Sequence, residues 1–180
     1  MGTIDQRRVA AHEAGHLLAA YAADLHPYEA SIAPSGDGTG GRVRYRDCAL
    51  DALLGYLGPA AGIAAVRLRL RVALAGRAAE DLLLGRPRIP MRRRMHERGE
   101  RPDRDLVSAV DLAFRIRAHV AEVERLLDAE DRFVRGWLVE QWHHVEYFAG
   151  RLLLEATIRV GAWEGRKVPK WPGSVVRCRT

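Results

Sequence analysis

The sequence predicts a mainly α-helical domain with a small β-hairpin, or the strands of one small sheet, and three observations carry that prediction. Its 180 residues include 27 Ala, 27 Arg and 21 Leu against 15 Val, six Ile and four Thr, so helix formers far outnumber strand formers. A strong turn cluster, Pro34-Ser35-Gly36-Asp37-Gly38-Thr39-Gly40, separates two short extended candidates. At 48% apolar and 29% charged residues, the chain has enough apolar surface for one real core and is no disordered polymer. The expected organisation is one domain over residues 1–160 and an irregular tail over 161–180.

The elements follow in order. Thr3-Ile4-Asp5-Gln6 fits a capping box, so the first helix starts there and runs to about Leu25, stopped by His26-Pro27. Residues 29–33 and 41–46 read as the two strands of the hairpin. Residues 52–66 are almost wholly apolar but contain Gly58-Pro59, which predicts two buried helical pieces meeting at a turn. That stretch is too short for the roughly 20 residues of a membrane span, so no membrane segment is expected. Residues 68–84 form a further helix closed by Gly85, with Pro87 just beyond. Residues 86–104 carry charge without periodicity and read as an exposed, mobile, Arg-rich loop. Residues 105–119 return to helical spacing, with Leu106, Ala109, Val110, Ala113 and Ile116 on one side. Residues 122–158 read as two antiparallel helices broken near Gln141 or Gly150.

Several function classes are excluded or weakened by composition. The only lysines are Lys167 and Lys170, after Arg166 and Pro169, so there is no Gly-Lys-Ser/Thr phosphate loop. Cys48 and Cys178 make neither a disulfide framework nor a zinc ribbon. No amino-terminal pattern reads as a signal peptide, and a cytoplasmic protein is expected. The net charge of +6 would suit nucleic acid, but the run Arg92-Arg93-Arg94 reads better as a solvated loop. The adjacent His143 and His144 point apart on a helix, and His26, His96 and His119 have no supporting context.

The chemistry concentrates in His12-Glu13-Ala14-Gly15-His16. Two histidines four apart on a helix differ by about 40° in direction and about 6 Å in rise, so both imidazoles reach one ion. Glu13 lies close enough to act on a water at that ion, which is the arrangement of a metal-dependent hydrolase. The helix around them is otherwise apolar, so burying three ionisable groups there needs a compensating charge. Gly15, in mid-helix, marks a close approach of another element. A third ligand is required. The metzincin pattern would place Gly and His three and six positions after His16, where Ala19 and Ala22 stand. Asp105, at the start of a helix, serves on geometry alone equally well as a ligand or as an N-cap.

Three ordered stretches then resemble the FtsH-type zinc peptidases. Residues Arg8-Val9-Ala10-Ala11-His12-Glu13-Ala14-Gly15-His16 are similar to the catalytic helix of that family. Leu74-Ala75-Gly76-Arg77-Ala78-Ala79-Glu80-Asp81-Leu82 resembles its Gly-Gly-Arg-Ala-Ala-Glu-Glu helix, and Asp105-Leu106-Val107-Ser108-Ala109 resembles its Asp-Leu-x-x-Ala helix. Residues 31–45 are similar to the family's strand and hairpin, and residues 134–155 to its carboxy-terminal helix pair.

The resemblance implies zinc held by His12, His16 and Asp105, with Glu13 as the catalytic base and Glu80 orienting the ligands. It implies a zinc-dependent endopeptidase that takes extended substrate beside the hairpin. Family members carry an ATPase module and membrane helices ahead of the peptidase, whereas this sequence starts at the peptidase. Cleavage of peptides or unfolded segments without its own ATPase is therefore expected. Arg101-Pro102-Asp103-Arg104-Asp105 stands where the family reads Gly-Ala-x-Asn-Asp, which offers Asp103 beside Asp105 as third ligand. The rival readings are a catalytically inactive binding or regulatory protein, and a peptidase working with a separate ATPase, a nucleic acid or further copies of itself.

Overall fold

The computed structural model describes residues 3–33, 41–46, 58–96, 103–161 and 167–171. Helix α1 (Ile4–Ala22) begins at the expected capping box: the Thr3 amide donates to Gln6 Oε1 at 2.9 Å and the Gln6 amide to Thr3 Oγ1 at 3.2 Å. It stops at Ala22, earlier than expected. Asp24 (φ 60°) and His26 (φ 49°) turn the chain so that Pro27 opens β1 (Pro27–Ser31). From Ala10 onward α1 is buried on nearly every side, which makes it the central helix of the domain.

Helix α2 (Gly58–Leu83) is continuous over 26 residues, which corrects the two pieces and separate third helix read from the sequence. Gly58-Pro59 is its start and not a break, because a proline in the first turn lacks an N–H that has no helical partner anyway. Residues 52–57 of that prediction lie outside the described residues. At the other end Gly85 (φ 62°) closes the helix as expected. Its amide donates to the Leu82 carbonyl at 3.1 Å and the Arg86 amide to the Asp81 carbonyl at 2.8 Å, a Schellman closure. Gly15 brings α1 and α2 together: a Cβ there would stand 2.6 Å from the Ala75 carbonyl oxygen and 2.7 Å from Ala79 Cβ.

The hairpin is present, with β1 antiparallel to β2 (Arg42–Tyr45), while the turn at 34–40 lies outside the described residues. A third strand extends it. The sheet order is β2-β1-β3, and β3 (Thr157–Arg159) falls where the sequence reading continued a helix to residue 158. Ala156 (φ 56°) ends that helix, and the β-branched pair Thr157-Ile158 then suits a strand.

Residues 86–96, the described first part of the predicted Arg-rich loop, are not free. Met91–His96 forms a short helix, α3, whose Met91 is fully buried against Leu70, Leu74, Val123 and Leu127. Arg88 Nε donates to Asp131 Oδ2 at 2.7 Å, and the Met91 amide donates to Asp128 Oδ1 at 2.8 Å. The counterions of Arg88 lie on a later helix, so local sequence gave no sign of them. Residues 97–102 lie outside the described residues. Helix α4 (Arg104–Phe114) follows, shorter than predicted, then α5 (Val120–Glu140) and α6 (Trp142–Glu155). The break falls at Gln141, and Gly150 is interior to α6. These last two helices pack mainly on different partners, α5 on α2 and α6 on α1.

Much of the arginine content is structural. Among the buried acids of α5, Glu130 accepts from Arg67 Nε at 2.6 Å and Asp131 accepts from Arg88. Asp81 of α2, also buried, accepts from Arg135 Nη2 at 2.6 Å and Arg77 Nε at 3.0 Å. Burying such acids is tolerable only because each meets a guanidinium. The described part of the tail is irregular, yet Val168 and Trp171 sit in the same core cluster as α1 and α6. The Trp171 amide donates to the Ala22 carbonyl at 3.0 Å, so the core extends past residue 160. Among the described residues, no helix is long and apolar enough to cross a membrane.

Candidate metal centre

Four elements converge on a cleft of about 610 Å³ lined by α1, β2, α2 and α4. His12 and His16 reach it from one face of α1, as their spacing requires. Their orientation is set from behind. His16 Nδ1 lies 2.8 Å from the Val72 carbonyl oxygen, an acceptor only, so Nδ1 carries the proton and Nε2 presents its lone pair to the cleft. His12 Nδ1 lies 3.4 Å from Glu80 Oε2, with the same consequence. Glu80 thus lies directly behind His12, and Arg8 and Arg86 approach its other oxygen at 3.6 and 3.4 Å.

Asp105 completes a triangle. Its Oδ2 lies 2.9 Å from His12 Nε2 and 3.1 Å from His16 Nε2, and the two Nε2 atoms are 3.1 Å apart. Asp103, the alternative, is occupied otherwise. It is the N-cap of α4, accepting from the Asp105 and Leu106 amides at 3.1 Å each, while Arg94 Nη2 lies 3.4 Å from its other oxygen. The two carboxylates divide the work: Asp103 caps the helix, and Asp105 is left to face the histidines.

Three acceptor atoms pointed at one spot repel one another unless a cation joins them. Two imidazole nitrogens and one carboxylate oxygen are a donor set for a tetrahedral divalent ion with one position left open. Bonds of about 2.0–2.1 Å place tetrahedral donors about 3.3–3.4 Å apart, close to the spacing found here. The residues fit such an ion. Without one, protons take its place. Burial alone lowers the His12 pKa, but its bonds to Asp105 and Glu80 and the Glu13 charge outweigh that and push it up to about 10. Burial works to raise Asp105, and its contacts with His12 and His16 instead hold it far below the usual carboxylate range. Glu80 is likewise held low, against burial, by His12 and by the Arg77 and Arg8 charges.

Glu13 is buried beside the triangle, and that burial raises its pKa against the opposing pull of His16 and His12. It packs beneath Gly41, where a Cβ would stand 2.5 Å from Glu13 Oε1. Gly76 of α2 plays the same part for the histidines, since a Cβ there would stand 2.7 Å from His12 Nε2. Sequence reasoning missed both glycines as site residues. A signal was there for Gly76, a helix-weakening residue set between Ala75 and Arg77. Against the sequence reading, His143 and His144 do not point apart, since their ring centres lie 4.0 Å from each other, yet among the described residues only His12, His16 and Asp105 gather as potential metal ligands.

Among known proteins, no family model matches this sequence and no curated relative matches it.

Proposed function

We propose that this protein is a zinc-dependent endopeptidase. The observation that carries the reading is the convergence of His12 Nε2, His16 Nε2 and Asp105 Oδ2 within 3.1 Å of one another, with the Glu13 carboxylate buried beside them in an open cleft. His12, His16 and Asp105 would hold the ion, and Glu80 and the Val72 carbonyl keep the two imidazoles in the ligating tautomer. When bound, zinc lowers the pKa of a water and polarises a substrate carbonyl. Glu13 accepts the proton of the attacking water and delivers it to the departing amine nitrogen. Its burial favours this exchange, because a carboxylate in an apolar setting takes up a proton more readily. Gly41 leaves the space that the Glu13 carboxylate occupies. The order of these motifs also resembles the FtsH-type peptidases, which supports peptide as the substrate. Peptides and unfolded segments suit a cleft bordered by a sheet edge.

The deciding experiment measures bound metal and cleavage of an unfolded protein for wild type, Glu13→Gln and Asp105→Asn. About one zinc per chain is expected in wild type. Glu13→Gln should keep the metal and lose activity by about 10²–10⁴-fold. Asp105→Asn should weaken metal binding by at least about 10-fold. Wild-type activity in Glu13→Gln, or no metal in the wild type, overturns the reading.

A further inference from the structure

The sheet carries positive charge that the centre does not use. Along β2, Val43 and Tyr45 pack toward the core, so Arg42 and Arg44 take the opposite face. The register sets Arg44 and Arg159 on either side of Glu29, and Arg42 opposite Ser31. Arg46 follows just past the strand, and all four arginines are exposed. Glu29 is the one acidic residue in the three strands, 3.7 Å from Arg42 and 3.5 Å from Arg44. Among the described residues, four guanidinium groups against one carboxylate leave this face net positive.

Its position gives the charge a direction. In the order β2-β1-β3, β2 is an edge strand among the described residues, and its Arg42, Val43 and Tyr45 line the cleft with Gly41 and Glu13. The arginine face and the candidate centre therefore share one strand. The acids within the cleft, Glu13, Glu80 and Asp105, are engaged at the centre, so a chain arriving along β2 meets positive charge first.

We propose that this face selects acidic polypeptide, placing segments rich in Asp and Glu next to the bond to be cut. The proposal rests on the peptidase reading. An extended polypeptide fits better than nucleic acid because a sheet edge pairs with another strand, and the alternate residues of that strand then meet the arginines. Exposed charges of this kind act through encounter and orientation, so their effect is strongest at low salt.

The test uses zinc-loaded Glu13→Gln and fluorescent peptides of equal length that differ only in Glu, Ser or Lys at the flanking positions. By anisotropy, the Glu peptide should bind about 10-fold tighter than the Ser peptide in about 0.05 M salt, and the gap should narrow toward about 2-fold in about 0.5 M salt. The double variant Arg44→Glu with Arg159→Glu should reverse the order while keeping its metal and its circular dichroism. Equal binding of the three peptides, or an unchanged order in the folded double variant, overturns the proposal. So does a single-stranded RNA that outcompetes the Glu peptide and depends on the same arginines. The expected order of binding with no cleavage by the zinc-loaded wild type sustains the acidic preference and overturns the peptidase reading.

Discussion

Gly76 lies directly beneath His16: a Cβ on Gly76 would fall within 2.6 Å of His16 Cδ2 and closer still to its Nε2. The contact runs across the α1–α2 interface, where Gly15 also lets the helices approach closely. Space for a methyl group is therefore missing at the very point where the donor nitrogens meet.

Gly76→Ala tests this. Alanine is the better helix former by roughly 0.5–1 kcal/mol, so α2 itself should not suffer. The added carbon displaces both imidazoles, and metal affinity should fall by at least about 10-fold, read by competition with a chelating dye. Retained affinity would mean that the histidines have room the structure does not give them.

Asp103 and Asp105 should separate by experiment as they do in space. Asp103→Ala removes the α4 cap and should cost about 1 kcal/mol of stability, measured by denaturant unfolding of the metal-free protein. Its metal binding should weaken only modestly, because the Asp105 carboxylate remains. Asp105→Ala should do the reverse, leaving the cap intact and the metal weakly held. The opposite pattern would exchange their roles.

The metal-free protein should lose stability as pH rises. His12 carries a folded-state pKa pushed up to about 10, above its ordinary value of 6.5. A raised pKa stabilises the fold fully below the unfolded value and loses that contribution as pH climbs through the folded one. The thermal midpoint of chelator-treated wild type should therefore fall between about pH 6.5 and 10, relative to a His12→Gln control that removes the group. Zinc-loaded protein should lack this fall and instead release metal in acid, where protons compete for the imidazoles. A metal-free midpoint that tracks the His12→Gln control across that range would refute the assignment.

The amino-terminal part of the fold was the most legible. Thr3 and Gln6 announced α1, His12 and His16 shared a face by spacing alone, and Gly85 marked the end of α2. These signals act within one turn of helix or one tight turn of chain. What failed to show depended on distant partners. Gly58-Pro59 reads as a break unless it is known to sit at a helix start. The run around Arg88 and Arg94 looks solvated until Asp128 and Asp131 of α5 are placed opposite it. Three residues, Thr157–Arg159, are too few to register as a strand without β1 beside them. Asp103 and Asp105 were both visible as candidates, but only tertiary structure shows that Asp103 caps the helix while Asp105 faces the histidines.

Ninety-three positions separate His12 from Asp105, while four separate the two histidines. A ribosome thus finishes the His-Glu-x-x-His turn long before the third donor exists. No product truncated ahead of residue 105 can close the triangle, however well its first helix folds. Trp171, packed under the end of α1, is made later still. Synthesis order alone keeps a copy that stops short of Asp105 from bringing the three donors together.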